Sequence, residues 1–237
     1  MAYEVNTSKP DLKLLKKAYS LSSSKEKHDF EARFGCIKDL LSVVPDWNLF
    51  RAMLKFYVPQ YQAFEFPHFE LVPTIDEYHH FLWSSPAMDS STVTPQAQHM
   101  KFTLEKIQEM LQAMWGFSFE FSQPLVTIRD DSYGFNWNAT LMALGKRLKG
   151  MTSSQRINFV ALGIYGMVIF PIYVKTIAPM VVALFEQLLH TSAFNPASIM
   201  VAETLWSMRE IRAKRSDCFS SFIELFTTWA HGHLRGP

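Results

Sequence analysis

The sequence predicts a mainly α-helical protein, a single helical domain with a small β hairpin near residues 61–72. Apolar residues recur at spacings of three and four along most of the chain, which is the pattern of helices with one buried face. The stretch YQAFEFPHFELV at residues 61–72 instead alternates with a period near two, which is typical of short strands. Hydrophobic residues make up 48% of the 237 residues, enough for a substantial core.

The first two predicted helices lie near the start of the chain. Residues 11–19 form an amphipathic segment, because leucine and tyrosine recur on one helical face and lysines on the other. A polar break at residues 20–24 follows, and a second helix then runs as far as Pro45. We therefore divide the chain into an N-terminal segment, residues 1–24, and one helical domain, residues 25–237.

Three later helices carry start signals in the sequence. Asp46 can accept hydrogen bonds from the first turn of a third helix, WNLFRAMLKFY. Thr74 and Glu77 form a capping box, in which each side chain can bind the backbone amide of the other residue, and a fourth helix follows. Thr152 and Gln155 repeat this pattern ahead of a long apolar segment.

The middle of the chain is less regular. Residues 84–93 are rich in serine and predict an exposed loop. A helix is expected to begin at Thr94–Pro95 and to end at Gly116. Residues 117–135 are expected to be irregular, with a short strand at residues 125–128.

The C-terminal half is predicted to be helical throughout, with prolines that kink or split the helices. The predicted helices run from Trp137 to Lys149, from Thr152 to Phe170 and onward to His190, from Asn195–Pro196 to about Lys214, and from Asp217 to the final histidines.

The uncharged run at residues 159–174, FVALGIYGMVIFPIYV, has two possible structures. A membrane span needs about 20 apolar residues. This run is shorter, contains Pro171 and meets Lys175 at its end. We therefore expect a buried core helix and no membrane span, with Gly163 and Gly166 permitting close helix packing.

Charge and cysteine content point to an intracellular protein. There are 23 basic and 22 acidic residues, so no net field of the whole chain attracts nucleic acid or acidic lipid. Cys36 and Cys218 are far apart, and the start MAYEVNTSKP lacks the basic and then apolar pattern of a signal peptide. Both cysteines are expected to be thiols in a reducing compartment.

No catalytic, cofactor or metal motif stands out. The pairs His79–His80 and His231 with His233 lack an HExxH or CxxC context for a metal. There is no GxSxG nucleophile turn and no phosphate-binding GxxxxGK[ST] loop. The thiol of Cys218 is placed near a helix start that could lower its pKa, although a structural cysteine is the simpler interpretation. We predict that the protein is not an enzyme and holds no cofactor or metal.

One basic cluster is a candidate contact site for a partner or for nucleic acid. It consists of Arg209, Arg212, Lys214 and Arg215, near the end of a predicted helix. Compensation of the helix dipole would explain these cations without any ligand. Single-strand binding would also need stacking aromatic rings between the cations, and the sequence REIRAKR has none.

Two blocks of sequence resemble a known type of domain. They are FEFPHFELVPTIDEYHHFLW at residues 64–83 and NFVALGIYGMVIFP at residues 158–171, the latter followed later by NPASIMVAETLWSMREIRAKR. The chain resembles, from about Phe30 to its end, a plant-specific family of uncharacterised domains akin to the plant mobile domain, an aminotransferase-like module of transposon-related proteins. The matching positions are Pro73, Thr74, Ile75, Asp76, Glu77, Tyr165, Gly166, Phe170, Pro171, Trp229, His233 and Leu234.

The resemblance implies a non-enzymatic protein-interaction module of transposon-related origin, located in the nucleus. It carries no active-site residue over to this chain, and no lysine has the context of a pyridoxal phosphate site. Tyr165, Gly166 and Phe170 are expected to belong to the core. The alternative function is a nucleic-acid-binding domain that uses the basic cluster at residues 209–215. The partner protein and the oligomeric state stay open.

Overall fold

The computed structural model shows a mainly helical protein with a small three-stranded antiparallel sheet, which confirms the predicted fold class. The chain forms two compact units, and the predicted division at residue 24 stays a prediction. The first unit comprises Met1–Lys9, Cys36–Ser90 and Asn195–Pro237, and the second comprises Pro10–Gly35 and Ser91–Phe194. The structure describes residues 5, 11–82, 103–129, 132–144, 150–171, 176–190, 196–219 and 221–234.

The first unit combines four α-helices with the sheet among its described residues. Its elements are a 3-10 helix at Ile37–Ser42, α3 (Trp47–Leu54), β1 (Tyr57–Val58), β2 (Ala63–Glu65), β3 (Glu70–Leu71), α4 (Ile75–Leu82), α10 (Ala197–Arg212) and α11 (Ile223–Leu234).

The sheet has one strand more than the predicted hairpin. Its order is β1-β2-β3, with Tyr57 opposite Phe64 and Glu65 opposite Glu70. The sequence assigned Tyr57 to the end of the third helix, which was wrong. Pro59 disfavours helical geometry at the residue before it, so the chain extends at Val58 and pairs with β2.

Aromatic rings build the core of the first unit. Phe226 of α11 contacts Phe50 of α3 at a centroid distance of 5.3 Å and Phe64 of β2 at 6.0 Å. Trp229, one turn later, lies 5.8 Å from Phe64. Tyr57 donates a hydrogen bond of 2.9 Å to the carbonyl of Leu205 in α10. The inner face of the sheet is therefore fixed against both C-terminal helices.

The second unit is built from helices and one separate hairpin. Its described elements are α1 (Lys13–Ser20), α2 (Ser24–Phe34), α5 (Leu104–Trp115), α6 (Phe119–Ser122), a 3-10 helix at Gln123–Leu125, β4 (Val126–Arg129), β5 (Ser132–Phe135), α7 (Trp137–Leu144), α8 (Ser153–Ile164), a π-helical turn at Tyr165–Ile169 and α9 (Pro179–His190).

Helix α8 lies at the centre of the second unit and packs against α1 and α2. Trp137 stacks on Phe159 of α8 at 5.0 Å and donates a hydrogen bond to its carbonyl. A Cβ atom at Gly163 would lie 2.7 Å from the Trp137 ring and 2.8 Å from Leu15. The expected role of this glycine in close packing is thus confirmed.

The uncharged run is buried from Phe159 through Phe170, as predicted for a core segment, and this includes the three core positions Tyr165, Gly166 and Phe170. The helix changes to π geometry at Tyr165, whose carbonyl accepts from the Phe170 amide at 2.8 Å, so regular winding ends before Pro171. Within the described parts of the chain, no helix is long and apolar enough to cross a bilayer.

Most predicted helix starts are confirmed. The Asp46 carboxylate accepts from the Leu49 amide at 2.9 Å. The Thr74–Glu77 box forms, because Glu77 accepts from the Thr74 amide and Thr74 accepts from the Glu77 amide. The box at Thr152 forms in the same way, and Gly116 ends α5 with a left-handed φ of 68°.

Several element boundaries differ from the prediction. The second helix ends at Phe34 and not at Pro45, because Gly35 takes a φ of 64° that interrupts helical winding. The last helix begins at Ile223 and not at Asp217, since the Ser216 hydroxyl bonds both the amide and the carbonyl of Cys218 and holds a turn there. Residues 117–135 contain β4 and β5, where only one short strand was expected.

Some predictions concern residues that lie outside the described parts. They are the exposed loop at residues 84–93, the helix start at Thr94–Pro95, the end of the helix expected to reach Lys149 and the capping residue Asn195. The expected helix ending at Gly116 is described from Leu104, where Thr103 provides the N-cap.

Candidate interaction surface

The predicted basic cluster lies at the C-terminal end of α10 and just beyond it. Arg209 and Arg212 belong to the last turn of the helix, where positive charge interacts favourably with the helix dipole. Lys214 follows with a φ of 55°, and both Lys214 and Arg215 are exposed.

The four cations are not equivalent. The guanidinium of Arg215 binds the Glu210 carboxylate through two contacts of 2.7 and 2.5 Å, so its charge is balanced within the chain. The guanidinium of Arg209 lies 5.8 Å from the ring centroid of Trp206, whose side chain is 54% exposed. Trp206 lies one helical turn before the basic cluster and outside the segment REIRAKR, so the sequence pattern of the cluster did not indicate it.

The histidines do not form a metal cluster in the described residues, where no three side chains of ligand type come together. His79 is buried on α4 and His80 is exposed. His231 and His233 lie on α11, and each pairs with a different carboxylate. Nε2 of His231 is 3.4 Å from Asp46, and Nε2 of His233 is 2.6 Å from Glu77.

The Glu77 carboxylate joins the start of α4 to α11. It accepts hydrogen bonds from the amide and hydroxyl of Thr74, both at 2.8 Å, and from the indole nitrogen of Trp229 at 3.3 Å. His233 adds the fourth contact. Because its oxygens are occupied by structural partners, Glu77 is better suited to holding two helices together than to acting as a catalytic base.

The pKa values of both paired carboxyls lie below their ordinary range. Burial raises the pKa of Glu77, but the hydrogen bonds from Thr74 and His233 outweigh it. The backbone amide of Leu49 is the main cause that lowers the pKa of Asp46, and His231 lowers it further. Both groups are therefore stabilised as carboxylates in the folded chain.

Within the described residues, neither Cys36 nor Cys218 forms a disulfide bond. Shielding of its sulfur from water raises the pKa of Cys218, and the charge of Asp217 raises it further. The expectation that a helix start could lower this pKa was wrong, because α11 begins five residues later. The raised pKa favours the thiol form of Cys218 over the thiolate, which is the more nucleophilic form.

A half-open groove of about 260 Å³ lies in the second unit. Leu21 and Met142 are exposed at its rim, while Glu26 and Arg156 provide polar groups. Nε of Arg156 binds Glu26 at 2.7 Å, and the guanidinium also donates to the Met151 carbonyl. These polar groups bind one another and are not directed at a ligand.

Residues that flank the strands of the small sheet form a different kind of surface. We define the aromatic surface as Phe56, Tyr61, Phe66, Phe69 and Val72. Phe56 is 40% exposed, and Tyr61 and Phe69 are each 50% exposed. Phe66 stacks on Phe56 at a centroid distance of 4.7 Å and on Phe69 at 4.8 Å, with interplanar angles of 27° and 25°.

Local backbone geometry positions this stack. The amide of Phe66 donates to the carbonyl of Phe69 at 2.9 Å, which closes the turn around Pro67. The amide of Glu65 donates to the carbonyl of Phe56 at 2.9 Å and brings the first ring alongside. Since Tyr57 and Phe64 are fully buried on the inner side, the sheet holds one aromatic group in the core and presents another to solvent.

The sequence analysis identified these strands but not the aromatic surface. The segment FEFPHFE could have indicated this surface, because it contains three phenylalanines within six residues. A small sheet buries only one of its faces, so some of these rings would remain exposed. Which of the rings become buried depends on α10 and α11, which begin more than 120 residues later in the sequence.

The comparisons with known proteins give one result. No curated protein and no solved structure matches the chain. A family model described as a domain of unknown function, DUF7745, matches residues 15–236. This agrees with the expected uncharacterised domain that covers most of the sequence. The chain belongs to the DUF7745 family.

Proposed function

We propose that this domain is a non-enzymatic protein-interaction module of transposon-related origin that acts in the nucleus. The observation that carries the interaction role is the aromatic surface. Monomeric proteins rarely expose a contiguous patch of large apolar side chains, and such patches commonly mark binding sites. Aromatic residues are also enriched at protein interfaces. The origin and the nuclear location rest on the resemblance to the plant mobile domain.

Two features support a role without catalysis. The His233–Glu77 pair is engaged by Thr74 and Trp229, so its geometry serves the packing of α4 and α11. The pKa of Cys218 is raised and not lowered. Neither group has the properties of an activated base or nucleophile.

The experiment is a pull-down from plant nuclear extract with the double variant Phe56→Ser/Phe69→Ser. Its matched control is Leu21→Ser/Met142→Ser, which removes two exposed apolar side chains from the second unit. We expect a set of proteins captured by wild type and by the control to be lost with the Phe56/Phe69 variant. Equal capture by all three folded proteins would refute the role of the aromatic surface.

Nucleic-acid binding through the basic cluster is the second candidate function. The exposed ring of Trp206 beside Arg209 favours it, because an aromatic ring next to a cation is the combination that single-strand binders use. Column retention on DNA at low salt tests it. Retention should weaken with salt and disappear in the Arg209/Arg212/Lys214/Arg215 alanine variant. No retention of wild type at low salt would exclude this candidate.

A further inference from the structure

We propose that the aromatic surface binds an arginine-bearing segment of a protein partner, with guanidinium groups stacked on the phenylalanine rings and paired with Glu65 and Glu70. This inference rests on the proposed function and specifies the chemistry of the partner.

The first step concerns the three stacked rings. Phe56, Phe66 and Phe69 form a nearly parallel stack in which Phe66 is the middle ring. Phe56 and Phe69, which carry the two outer rings, remain 40% and 50% exposed, so the stack is accessible from solvent. A guanidinium is planar and weakly hydrated, and it lies favourably over an aromatic face.

The second step concerns two carboxylates on the same sheet. Glu65 and Glu70 lie directly opposite each other on β2 and β3, and both are exposed. Like charges in such a cross-strand pair are unfavourable, because the Cβ atoms are only about 5 Å apart. Within the described residues, neither carboxylate forms an ion pair with a lysine, arginine or histidine of the chain. A cation from a partner would relieve this repulsion.

Tyr61 is hydrogen-bonded to one of these two carboxylates. Its hydroxyl donates to Oε2 of Glu65 at 2.5 Å. This hydrogen bond, partial desolvation and the charges of Glu65 and Glu70 raise the pKa of Tyr61 to about 12. The aromatic surface therefore includes a neutral phenol and is bordered by two carboxylates, which complement a cationic ligand.

The charges of Glu65 and Glu70 argue against nucleic acid as the ligand. The aromatic rings beside them favour arginine over lysine. A phosphate backbone would be repelled by Glu65 and Glu70, although bases could stack on the rings. Arginine can stack and at the same time make two parallel hydrogen bonds to a carboxylate. Lysine offers a point charge without a planar face.

The test measures binding of a synthetic peptide of four Arg-Gly-Gly repeats by fluorescence anisotropy. Three further ligands are measured for comparison: the same peptide with lysine in place of each arginine, the same peptide with neutral citrulline in place of each arginine, and an oligo-dT strand of similar length. We expect the arginine peptide to bind about tenfold more tightly than the lysine peptide, because only the guanidinium stacks and pairs together. The citrulline peptide should bind more weakly still.

Variants of the chain separate the contribution of the two carboxylates from that of the aromatic rings. Glu65→Gln/Glu70→Gln should weaken binding of the arginine peptide about tenfold, since it removes both charged acceptors. The control Glu105→Gln/Glu120→Gln changes the net charge equally on two exposed residues of the second unit and should have little effect. Phe69→Leu keeps an apolar side chain but removes one ring face, and it should also weaken binding.

Each contrary result has a distinct meaning. Equal binding of the arginine and citrulline peptides, no binding of the arginine peptide to folded wild type, or no effect of Glu65→Gln/Glu70→Gln would overturn the inference. Tighter binding of oligo-dT that depends on Phe69 would make nucleic acid the occupant. If capture from nuclear extract requires Phe56 and Phe69 but not Glu65 and Glu70, the proposed function survives while the arginine inference fails.

Discussion

Nε2 of His233 lies 2.6 Å from Oε1 of Glu77, although the two residues are 156 positions apart in the sequence. Glu77 lies in the segment Pro73–Glu77, and His233 lies in the segment that begins at Trp229. Both residues are among the matching positions named in the sequence analysis. Their contact gives both a structural explanation, because one carboxylate caps α4 and fixes α11.

The Glu77 carboxylate should matter more for stability than its neighbour Asp76. Glu77→Ala removes the capping box together with the contacts to Trp229 and His233, and we expect a loss of about 1–2 kcal/mol in the free energy of unfolding. Asp76→Ala removes an exposed first-turn carboxylate and should cost about 0.5 kcal/mol or less. Urea unfolding followed by circular dichroism measures both. Equal losses would show that the contacts of Glu77 add nothing to its position in the helix.

Acid should destabilise the first unit through Glu77 and Asp46. Their pKa values are lowered in the folded chain from ordinary values of 4.5 and 3.8. Between the ordinary and the lowered pKa values the folded state binds fewer protons than the unfolded state, so stability falls as the pH decreases through that range. The stabilisation is fully present above about pH 5 and is lost progressively below it.

The variant Asp46→Asn/Glu77→Gln tests this pH dependence. The variant retains side-chain acceptors at both positions but removes the two groups that titrate. Its stability should therefore change less between pH 5 and pH 3 than that of wild type. This pH range is chosen because ordinary carboxyl groups titrate within it. A residual slope is expected from Glu26, whose pKa is also lowered. Midpoints of urea unfolding at each pH provide the measurement. Parallel pH profiles for the two proteins would contradict the prediction.

Local side-chain chemistry explains which elements could be predicted. The boxes at Thr74–Glu77 and Thr152–Gln155 depend on residues three positions apart, so their geometry follows from the sequence. The box at Ser23–Glu26 has the same form and was overlooked. By contrast, the break at Gly35 and the strand at Tyr57–Val58 lie within patterns that also suit a helix. Whether these residues become helical depends on tertiary packing and strand pairing.

The candidate surface was harder to predict than the fold. The sequence places Phe64, Phe66 and Phe69 in one short extended segment and gives all three the same apolar character. Contacts with Phe226 and Trp229 of α11 bury Phe64, while Phe66 and Phe69 stack outside. This division depends on long-range contacts, which local periodicity does not contain.

Two helical glycines should respond in opposite directions to replacement by alanine. A Cβ atom at Gly163 would meet the Trp137 ring at 2.7 Å, so Gly163→Ala should destabilise the chain by about 1–3 kcal/mol despite the higher helix propensity of alanine. At Gly232 of α11, no heavy atom beyond its chain neighbours and the local helix backbone lies within 4 Å of the added Cβ among the described residues. Gly232→Ala should therefore stabilise by about 0.5–1 kcal/mol. Thermal unfolding distinguishes the two. A stabilised Gly163→Ala variant would mean that the contact between α8 and Trp137 relaxes easily.

Two buried tyrosines provide a final contrast. Tyr57 donates a hydrogen bond of 2.9 Å to the Leu205 carbonyl, whereas the buried hydroxyl of Tyr165 has no hydrogen-bond partner in the described part of the chain. Tyr57→Phe should therefore cost about 1 kcal/mol, because the buried carbonyl loses its donor.

Tyr165→Phe should be neutral or should stabilise by up to about 1 kcal/mol, because it removes an unpaired polar group from the core and keeps the ring against Phe185. Urea unfolding of both phenylalanine variants beside wild type provides the measurement. A loss for Tyr165→Phe as large as that for Tyr57→Phe would show that the Tyr165 hydroxyl forms a stabilising hydrogen bond. The π-helical turn that begins at this residue would then depend partly on that bond.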